Sequence, residues 1–84
     1  MYFVYILKSL KDSSYYIGHS ENLKKILEKH NKGRVRSTKS KRPWQLIYKE
    51  FFETRQEVYR RELQIKNYKG GEAFKKLIRG SVPK

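Results

Sequence analysis

Two runs of aromatic and β-branched residues open the chain and predict a β-hairpin. The first run covers residues 2–7, the second covers residues 15–17, and a polar segment that ends in Asp12-Ser13-Ser14 separates them. Strand-forming runs on both sides of turn-forming residues are typical of paired strands. Alternation divides the first run into two faces, with Phe3, Tyr5 and Leu7 on one and Val4 and Ile6 on the other.

The tyrosines of this hairpin are candidate functional residues. Neighbouring strands bring Tyr5 and Tyr16 side by side, so both hydroxyls are expected near one point. Gly18 is predicted to end the second strand. A backbone without a β-carbon can turn sharply there, or it can let another group approach closely.

Apolar residues then recur at the spacing of an amphipathic helix. After the capping types Ser20-Glu21-Asn22, the apolar face consists of Leu23, Ile26, Leu27 and His30. Asn31-Lys32-Gly33 is predicted to end this helix. His30 lies at the end of the apolar stripe and is expected to be half-buried. Its position alone is typical of a packed or helix-capping histidine.

Residues 32–43 are almost without apolar side chains and predict a basic loop. Such a loop can wrap phosphates with its Arg and Lys side chains, while the hydroxyls of Ser37, Thr38 and Ser40 donate. The other interpretation is a disordered, solvated loop, and both can hold before a partner binds. The third strand is predicted at residues 44–52, with Trp44, Leu46, Tyr48 and Glu50 on one face and Gln45, Ile47, Lys49 and Phe51 on the other.

Thr54-Arg55-Gln56-Glu57 matches a capping box and predicts a helix that runs to about Asn67 or Tyr68. Glu62 falls within the apolar stripe of this helix, where burying a carboxylate is costly unless a cation meets it. Two interpretations remain open: an ion pair with a local Arg or Lys, such as the adjacent Arg61, or a metal ligand in a shallow cleft.

Residues 72–79 predict a last short helix, which Gly80 ends and Pro83 follows. The resulting order is β-β-α-β-α-α. We therefore predict an α+β fold in which a small, three-stranded, mainly antiparallel sheet is flanked by helices. The length of 84 residues predicts a single domain over residues 1–84.

The net charge of +13 points to a polyanionic partner. Nine basic residues and one acidic residue fall within residues 24–42, which predicts that this segment contacts nucleic acid. A membrane surface is disfavoured, because no stretch combines a wide apolar face with a basic one. No apolar run is long enough to span a bilayer, the start lacks a signal-peptide pattern, and cysteine is absent. We expect a cytoplasmic protein.

Five short motifs, in order and at their spacing, resemble the GIY-YIG nuclease domain. The closer resemblance is to its small single-domain bacterial members, which are related to the N-terminal domain of the UvrC repair nuclease, and it covers about residues 2–78. The motifs are Val4-Tyr5-Ile6, Tyr16-Ile17-Gly18, His30-Asn31, Arg42-Pro43-Trp44 and Arg61-Glu62-Leu63.

The resemblance implies hydrolysis of a nucleic-acid phosphodiester with one divalent metal ion, Mg²⁺ or Mn²⁺. It implies that Tyr5 or Tyr16 acts as general base on the attacking water, and that Glu62 binds the metal. His30 takes a position that holds His or Tyr near the scissile phosphate in the family. One carboxylate, completed by water and phosphate oxygens, suits magnesium.

The chain departs from the family pattern at Phe3, where the first motif has glycine, and at Ile26, where the family has its catalytic arginine. Loss of such a cation typically costs about 100- to 1,000-fold in rate. The alternative function is therefore a nucleic-acid-binding module with impaired catalysis.

The expected partner is nucleic acid, DNA more than RNA, and the protein is taken as a monomer. The residues expected to contact the nucleic acid are Lys25, Lys29, Lys32, Arg34, Arg36, Lys39, Lys41 and Arg42.

Overall fold

The computed structural model describes residues 1–80 of the 84-residue chain. Within them the strands are β1 (Tyr2–Ser9), β2 (Tyr15–Ser20) and β3 (Trp44–Phe52), and the α-helices are α1 (Leu23–Asn31), α2 (Arg55–Lys66) and α3 (Glu72–Gly80). A short 3-10 helix, Lys39–Lys41, lies between α1 and β3. The predicted α+β class and element order are therefore confirmed, and the last helix ends at Gly80, while Pro83 lies outside the described residues.

β1 is the central strand of an antiparallel sheet with the order β2-β1-β3. On one face of β1, Val4 and Ile6 are fully buried against Val58 and Ile65 of α2 and Phe74 of α3. We call this group the Val4 cluster. Burying an aliphatic side chain as large as Ile6 contributes about 1.5–3 kcal/mol, so this face anchors α2 and α3 to the sheet.

The opposite face of β1 carries a second apolar group, the Tyr5 cluster. Its buried members are Tyr5, Leu7 and Trp44. Half-buried side chains pack around them, namely Tyr16, Leu23, Ile26, Leu27 and Leu46. The predicted division of β1 into two faces is confirmed, and each face has its own helical cover.

β2 runs two residues beyond Gly18, so the prediction that Gly18 ends the strand is wrong. Gly18 pairs with Tyr5 inside the ladder and the strand continues to Ser20. A glycine can remain within a strand where a neighbouring group must come close to its backbone. The second role considered for Gly18, close approach of another group, is the one that the structure shows.

A register shift in β3 overturns the predicted faces of that strand. Ile6 pairs with Tyr48 and Leu7 pairs with Leu46, which leaves Ile47 as an extra residue on β3. A bulge of one residue moves every later side chain to the opposite face. Leu46 therefore packs in the Tyr5 cluster, whereas Tyr48 packs against the Val4 cluster.

The segment between α1 and β3 is folded rather than disordered. Thr38 is buried, and its carbonyl oxygen accepts a hydrogen bond of 3.0 Å from Trp44 Nε1. The carbonyl oxygen of Lys41 accepts one of 2.7 Å from Ser9 Oγ. Because these bonds turn Thr38 inward, its hydroxyl does not face solvent as the sequence suggested.

The helices begin where their caps predict. Thr54 Oγ1 accepts from the Glu57 amide at 3.2 Å, and Glu57 Oε1 accepts from the Thr54 amide at 3.3 Å, which confirms the capping box of α2. Such a cap contributes about 1 kcal/mol. Arg61 Nε donates to Glu50 Oε1 at 2.8 Å and ties α2 to β3.

No helix within residues 1–80 has the length and apolar character needed to cross a membrane.

Candidate active site

The Tyr5 side chain lies across Gly18 of the neighbouring edge strand. A β-carbon at Gly18 would stand 2.7 Å from Tyr5 Oη, which is closer than non-bonded atoms approach. Tyr5 is only 2% exposed. Tyr16 lies on the same face, with its ring centroid 6.3 Å from that of Tyr5. The predicted pairing of the two tyrosines is therefore present, and the missing side chain at Gly18 makes room for it.

His30 at the end of α1 joins the two tyrosines. Its Nε2 lies 3.3 Å from Tyr5 Oη, and its ring centroid lies 4.8 Å from that of Tyr16. On the other side of the ring, Nδ1 lies 2.8 Å from Thr38 Oγ1. The expectation that His30 is half-buried is wrong, because the folded segment after α1 covers it and leaves it 1% exposed.

Glu62 reaches the same edge of the sheet from α2, and it is 8% exposed. Its Oε2 accepts a hydrogen bond of 2.6 Å from Lys66 Nζ, and its Oε1 is hydrogen-bonded to His19 Nδ1. The ion-pair interpretation of Glu62 is confirmed with Lys66 in place of Arg61. Residues four apart stack on one helix face, whereas Arg61 points about 100° away and pairs with Glu50.

Burial and charge set the protonation of this site. Burial raises the pKa of Tyr5. Repulsion between a Tyr5 phenolate and the negative charges of ionised Tyr16 and Glu62 raises this pKa further. Burial, followed by the charge of Lys29, lowers the pKa of His30. Burial alone would raise the pKa of Glu62, but hydrogen bonds from Lys66 and His19 outweigh it and lower the pKa. At neutral pH the free site thus holds a protonated Tyr5, a neutral His30 and an ionised Glu62.

Ile26 is half-buried and packs against the Tyr5 cluster. It also lines a cleft of about 580 Å³ between the end of β2, α1 and the residues that follow α1. Four cationic side chains and two carboxylates line the same cleft, so its charge is positive on balance, namely Lys25, Lys29, Lys32 and Arg34 against Glu21 and Glu28. The position of the family's arginine is therefore an apolar patch within a cationic cleft.

The eight residues expected to contact nucleic acid are all exposed. Four line the cleft, and the other four follow it in the segment before β3. Two of the latter also have structural contacts: Arg42 Nε donates to the Lys39 carbonyl oxygen at 2.9 Å, and Lys41 Nζ lies 3.9 Å from Asp12 Oδ2. The structure therefore brings four of these side chains together at the cleft, while two of the others also hold the segment in place.

The donor set around Glu62 bears on metal binding. Among residues 1–80, no group of three His, Cys, Asp or Glu side chains could enclose an ion. A hydrated Mg²⁺ or Mn²⁺ needs fewer protein ligands, because Mg²⁺ keeps several waters and uses one or two carboxylates. The ionised Glu62 fits such a site if an incoming ion displaces Lys66 or His19 from one of its oxygens.

Two residues of the site were not found from the sequence. His19 follows Gly18, so strand alternation turns its side chain toward the face that α2 covers. The same alternation could have predicted that His19 lies near α2. Thr38 had no such signal, because its contact with His30 depends on how the segment after α1 folds.

Known proteins resemble this chain in sequence and in fold. The GIY-YIG catalytic domain family matches residues 1–75. A UPF0213 protein of Staphylococcus saprophyticus is 38% identical over 80 residues, which cover 94% of this chain and 96% of that protein. A UPF0213 protein of Staphylococcus aureus is 43% identical over 68 residues, covering 80% and 82%. The solution NMR structure of a UPF0213 protein from Bacillus halodurans, 26% identical, matches with a TM-score of 0.61 over 99% of this chain and 89% of that chain.

Proposed function

Because the chain belongs to the GIY-YIG catalytic domain family, we propose that it is an endonuclease that hydrolyses phosphodiester bonds of nucleic acid. The family match and the UPF0213 relatives support a nuclease-like domain. One observation of the structure carries the proposal: Tyr5, Tyr16 and His30 converge in a buried contact. Glu62 is near enough for its charge to raise the pKa of Tyr5.

In this proposal Glu62 holds the divalent ion, Mg²⁺ or Mn²⁺, that the family generally uses. When bound, the ion supplies positive charge beside the phosphate. Glu62 of α2 is ionised before the ion binds. Hydrogen bonds with Lys66 of α2 and with His19, near the end of β2, hold its carboxylate in place. Tyr5 or Tyr16 is the proposed general base on the attacking water, and His30 contacts both tyrosines from within the core.

The proposed substrate is DNA more than RNA, bound to a cytoplasmic protein that acts as a monomer. The cationic cleft beside Ile26 supports contact with the phosphate backbone, because Lys and Arg on phosphates release condensed counterions. The exposed Arg and Lys side chains within residues 34–42 extend this surface toward the start of β3.

The second candidate function is nucleic-acid binding with little or no cleavage, and Ile26 is the observation that favours it. An aliphatic side chain at this position supplies no charge for a phosphate in the transition state. The surrounding cations, such as Lys29 and Arg34, still provide affinity. The two candidates therefore share the binding surface and differ in the reaction.

Nicking of supercoiled plasmid with Mg²⁺ or Mn²⁺ tests the first candidate. We expect the wild type to nick DNA and Glu62→Gln to be slower by on the order of 100-fold, since the neutral amide loses the metal-binding charge. Glu53→Gln, at an exposed carboxylate outside the site, is the matched control and should nick like the wild type. Equal rates for Glu62→Gln and the wild type would contradict the proposal.

Restoring the cation tests whether this fold can cleave once the charge that Ile26 lacks is supplied. In Ile26→Arg the guanidinium can extend from the half-buried position into the cleft, so we expect nicking to rise by about 100- to 1,000-fold. Ile26→Met, of similar volume and uncharged, should leave the rate unchanged. If Ile26→Arg binds DNA but remains inert in the presence of metal, the binding module is the better description.

A further inference from the structure

We propose that Thr38 is a positioning residue whose hydroxyl fixes the tautomer of His30, so that His30 Nε2 offers its lone pair to the Tyr5 hydroxyl. The inference rests on the proposed nuclease function, because it assigns the route by which the site takes a proton from water. Thr38 lies outside all five motifs that carry the family resemblance.

The direction of the hydrogen bonds follows from the two neighbours of the Thr38 hydroxyl. Its Oγ1 donates to the Val35 carbonyl oxygen at 3.3 Å and lies 2.8 Å from His30 Nδ1. A hydroxyl has one proton, so an oxygen that donates to Val35 must accept from an Nδ1–H. A neutral imidazole has one N–H, which leaves a lone pair on Nε2. Tyr5 Oη, 3.3 Å from Nε2, is then the donor of that contact.

Burial makes this arrangement specific. Thr38 is 2% exposed and His30 is 1% exposed, so water has little access to replace the threonine hydroxyl. The rings of Tyr16 and Trp44 pack around His30 at centroid distances of 4.8 Å and 6.4 Å. Trp44 Nε1 also donates to the Thr38 carbonyl oxygen at 3.0 Å, which holds Thr38 in place.

The titratable groups that face His30 leave it neutral. Tyr5 from β1 and Tyr16 from β2 contact its ring, and Lys29 on its own helix is the charged group that acts on it. Burial and the charge of Lys29 lower the pKa of His30, so the imidazole keeps a free nitrogen at neutral pH. Burial raises the pKa of Tyr5, so Tyr5 keeps its proton and needs an acceptor.

The Tyr5–His30 pair supplies that acceptor during hydrolysis. As the water oxygen bonds to phosphorus, its proton passes to the Tyr5 oxygen, and the Tyr5 proton passes to His30 Nε2. The bond from phosphorus to the leaving sugar oxygen breaks, and that oxygen takes a proton from solvent. The Tyr5 hydroxyl then releases a proton to water at the site, and His30 Nε2 returns its additional proton to the Tyr5 oxygen. Thr38 holds Nδ1–H throughout and touches neither water nor phosphate.

The first measurement needs no nuclease activity. ¹⁵N–¹H correlation spectra of the histidine rings at neutral pH should show the Nδ1–H tautomer for His30 in the wild type and in Thr38→Ser, which keeps the hydroxyl. Thr38→Val keeps the volume and removes the acceptor, so this tautomer should lose its preference. An Nε2–H tautomer in the wild type would overturn the inference. Because this result comes from the wild-type spectrum, it tests the inference even if Thr38→Val does not fold.

Thr54→Val is the matched control, because Thr54 caps α2 and has no contact with His30. It should lower stability and leave the His30 spectrum unchanged. A tautomer change in Thr54→Val equal to that in Thr38→Val would mean that general loosening, and not the lost hydroxyl, causes the effect.

The nicking assay supplies the second measurement. Thr38→Val should be slower by about 10- to 100-fold, as is typical when a partner that orients a reacting group is lost. Thr38→Ser should restore most of the rate, and Thr54→Val should match the wild type. Equal rates for Thr38→Val and the wild type would overturn the positioning role. If the wild type does not nick DNA, the proposed function fails, and the spectra still decide whether Thr38 fixes the tautomer.

Discussion

At the scale of single residues, Gly18 sets the position of the Tyr5 ring. A β-carbon there would stand 2.7 Å from Tyr5 Oη and 2.9 Å from Tyr5 Cζ. We expect Gly18→Ala to push the ring away from His30, to lower the free energy of unfolding by about 1–3 kcal/mol and to reduce nicking strongly. Urea denaturation and the plasmid assay measure the two effects.

Gly70→Ala is the contrasting glycine variant. Gly70 has φ = +75°, but a β-carbon there would meet no atom within 4 Å. We expect a loss of about 1 kcal/mol from backbone strain and no change in nicking. If the two variants lower nicking equally, crowding of Tyr5 is not the reason that Gly18 is a glycine.

His30 should make stability depend on pH. Burial and the charge of Lys29 lower its folded-state pKa below the unfolded value of about 6.5. Between the two values the unfolded chain binds more protons, so the stabilisation is complete above about pH 6.5 and is lost as the pH falls toward the folded-state pKa. Urea unfolding between pH 7.5 and pH 5 should show this loss in the wild type and a smaller one in His30→Gln. An unchanged pH dependence in His30→Gln would contradict it, since His19 is present in both proteins.

At the scale of elements, the join between α1 and β3 holds the cationic segment against the site. Asn31 Nδ2 donates to the Trp44 carbonyl oxygen at 3.1 Å, and Asn31 Oδ1 accepts from the Trp44 amide at 2.5 Å. We expect Asn31→Ala to lower the free energy of unfolding by about 1–3 kcal/mol, because two backbone groups lose their partner. Asn67→Ala, at an exposed asparagine after α2, should cost less than half as much in the same urea titration. Equal costs would mean that the bonds to Trp44 add little.

The elements also differ in how well their sequences define them. The capping box at Thr54 predicted the start of α2, because a cap is a local hydrogen-bond pattern. The faces of β3 were wrong after Leu46, because a bulge depends on which residues of β1 lie opposite. The prediction that the Thr38 hydroxyl faces solvent was also wrong. Thr38 has no local hydrophobic signal, and contacts with α1 and β3 bury it.

At the scale of the whole molecule, nine of the 21 basic residues fall within residues 24–42, and four of these line the cleft beside Ile26. If residues 24–42 contact phosphates, the affinity for a labelled DNA duplex should fall steeply between 50 mM and 200 mM salt. We expect Lys29→Ala, in the cleft, to reduce the slope of log K against log salt by about 1. Lys75→Ala, exposed on α3, should change it less. Fluorescence anisotropy measures both slopes, and equal reductions would mean that binding is not confined to the cleft.

We propose that residues 1–84 fold as one domain. β1 contributes Val4 and Ile6 to one cluster and Tyr5 and Leu7 to the other, so neither cluster forms without the shared strand. Tyr5 and Tyr16 of the site belong to the Tyr5 cluster, whereas Glu62 lies on α2, which packs in the Val4 cluster, and the geometry of the site therefore depends on both.

The sequence by itself determined the order of the elements, the two faces of β1, the position of Glu62 within an apolar stripe and the cationic character of residues 24–42. These features follow from periodicity, caps and charge, which act over a few neighbouring residues. Only the tertiary structure decided that Lys66 and His19 hold Glu62, that Ile26 lies in a cationic cleft, and that Thr38 meets the buried ring of His30. Each of these depends on segments that are distant in the sequence or on side-chain directions around a helix, and local pattern does not encode which distant groups the packed core brings together.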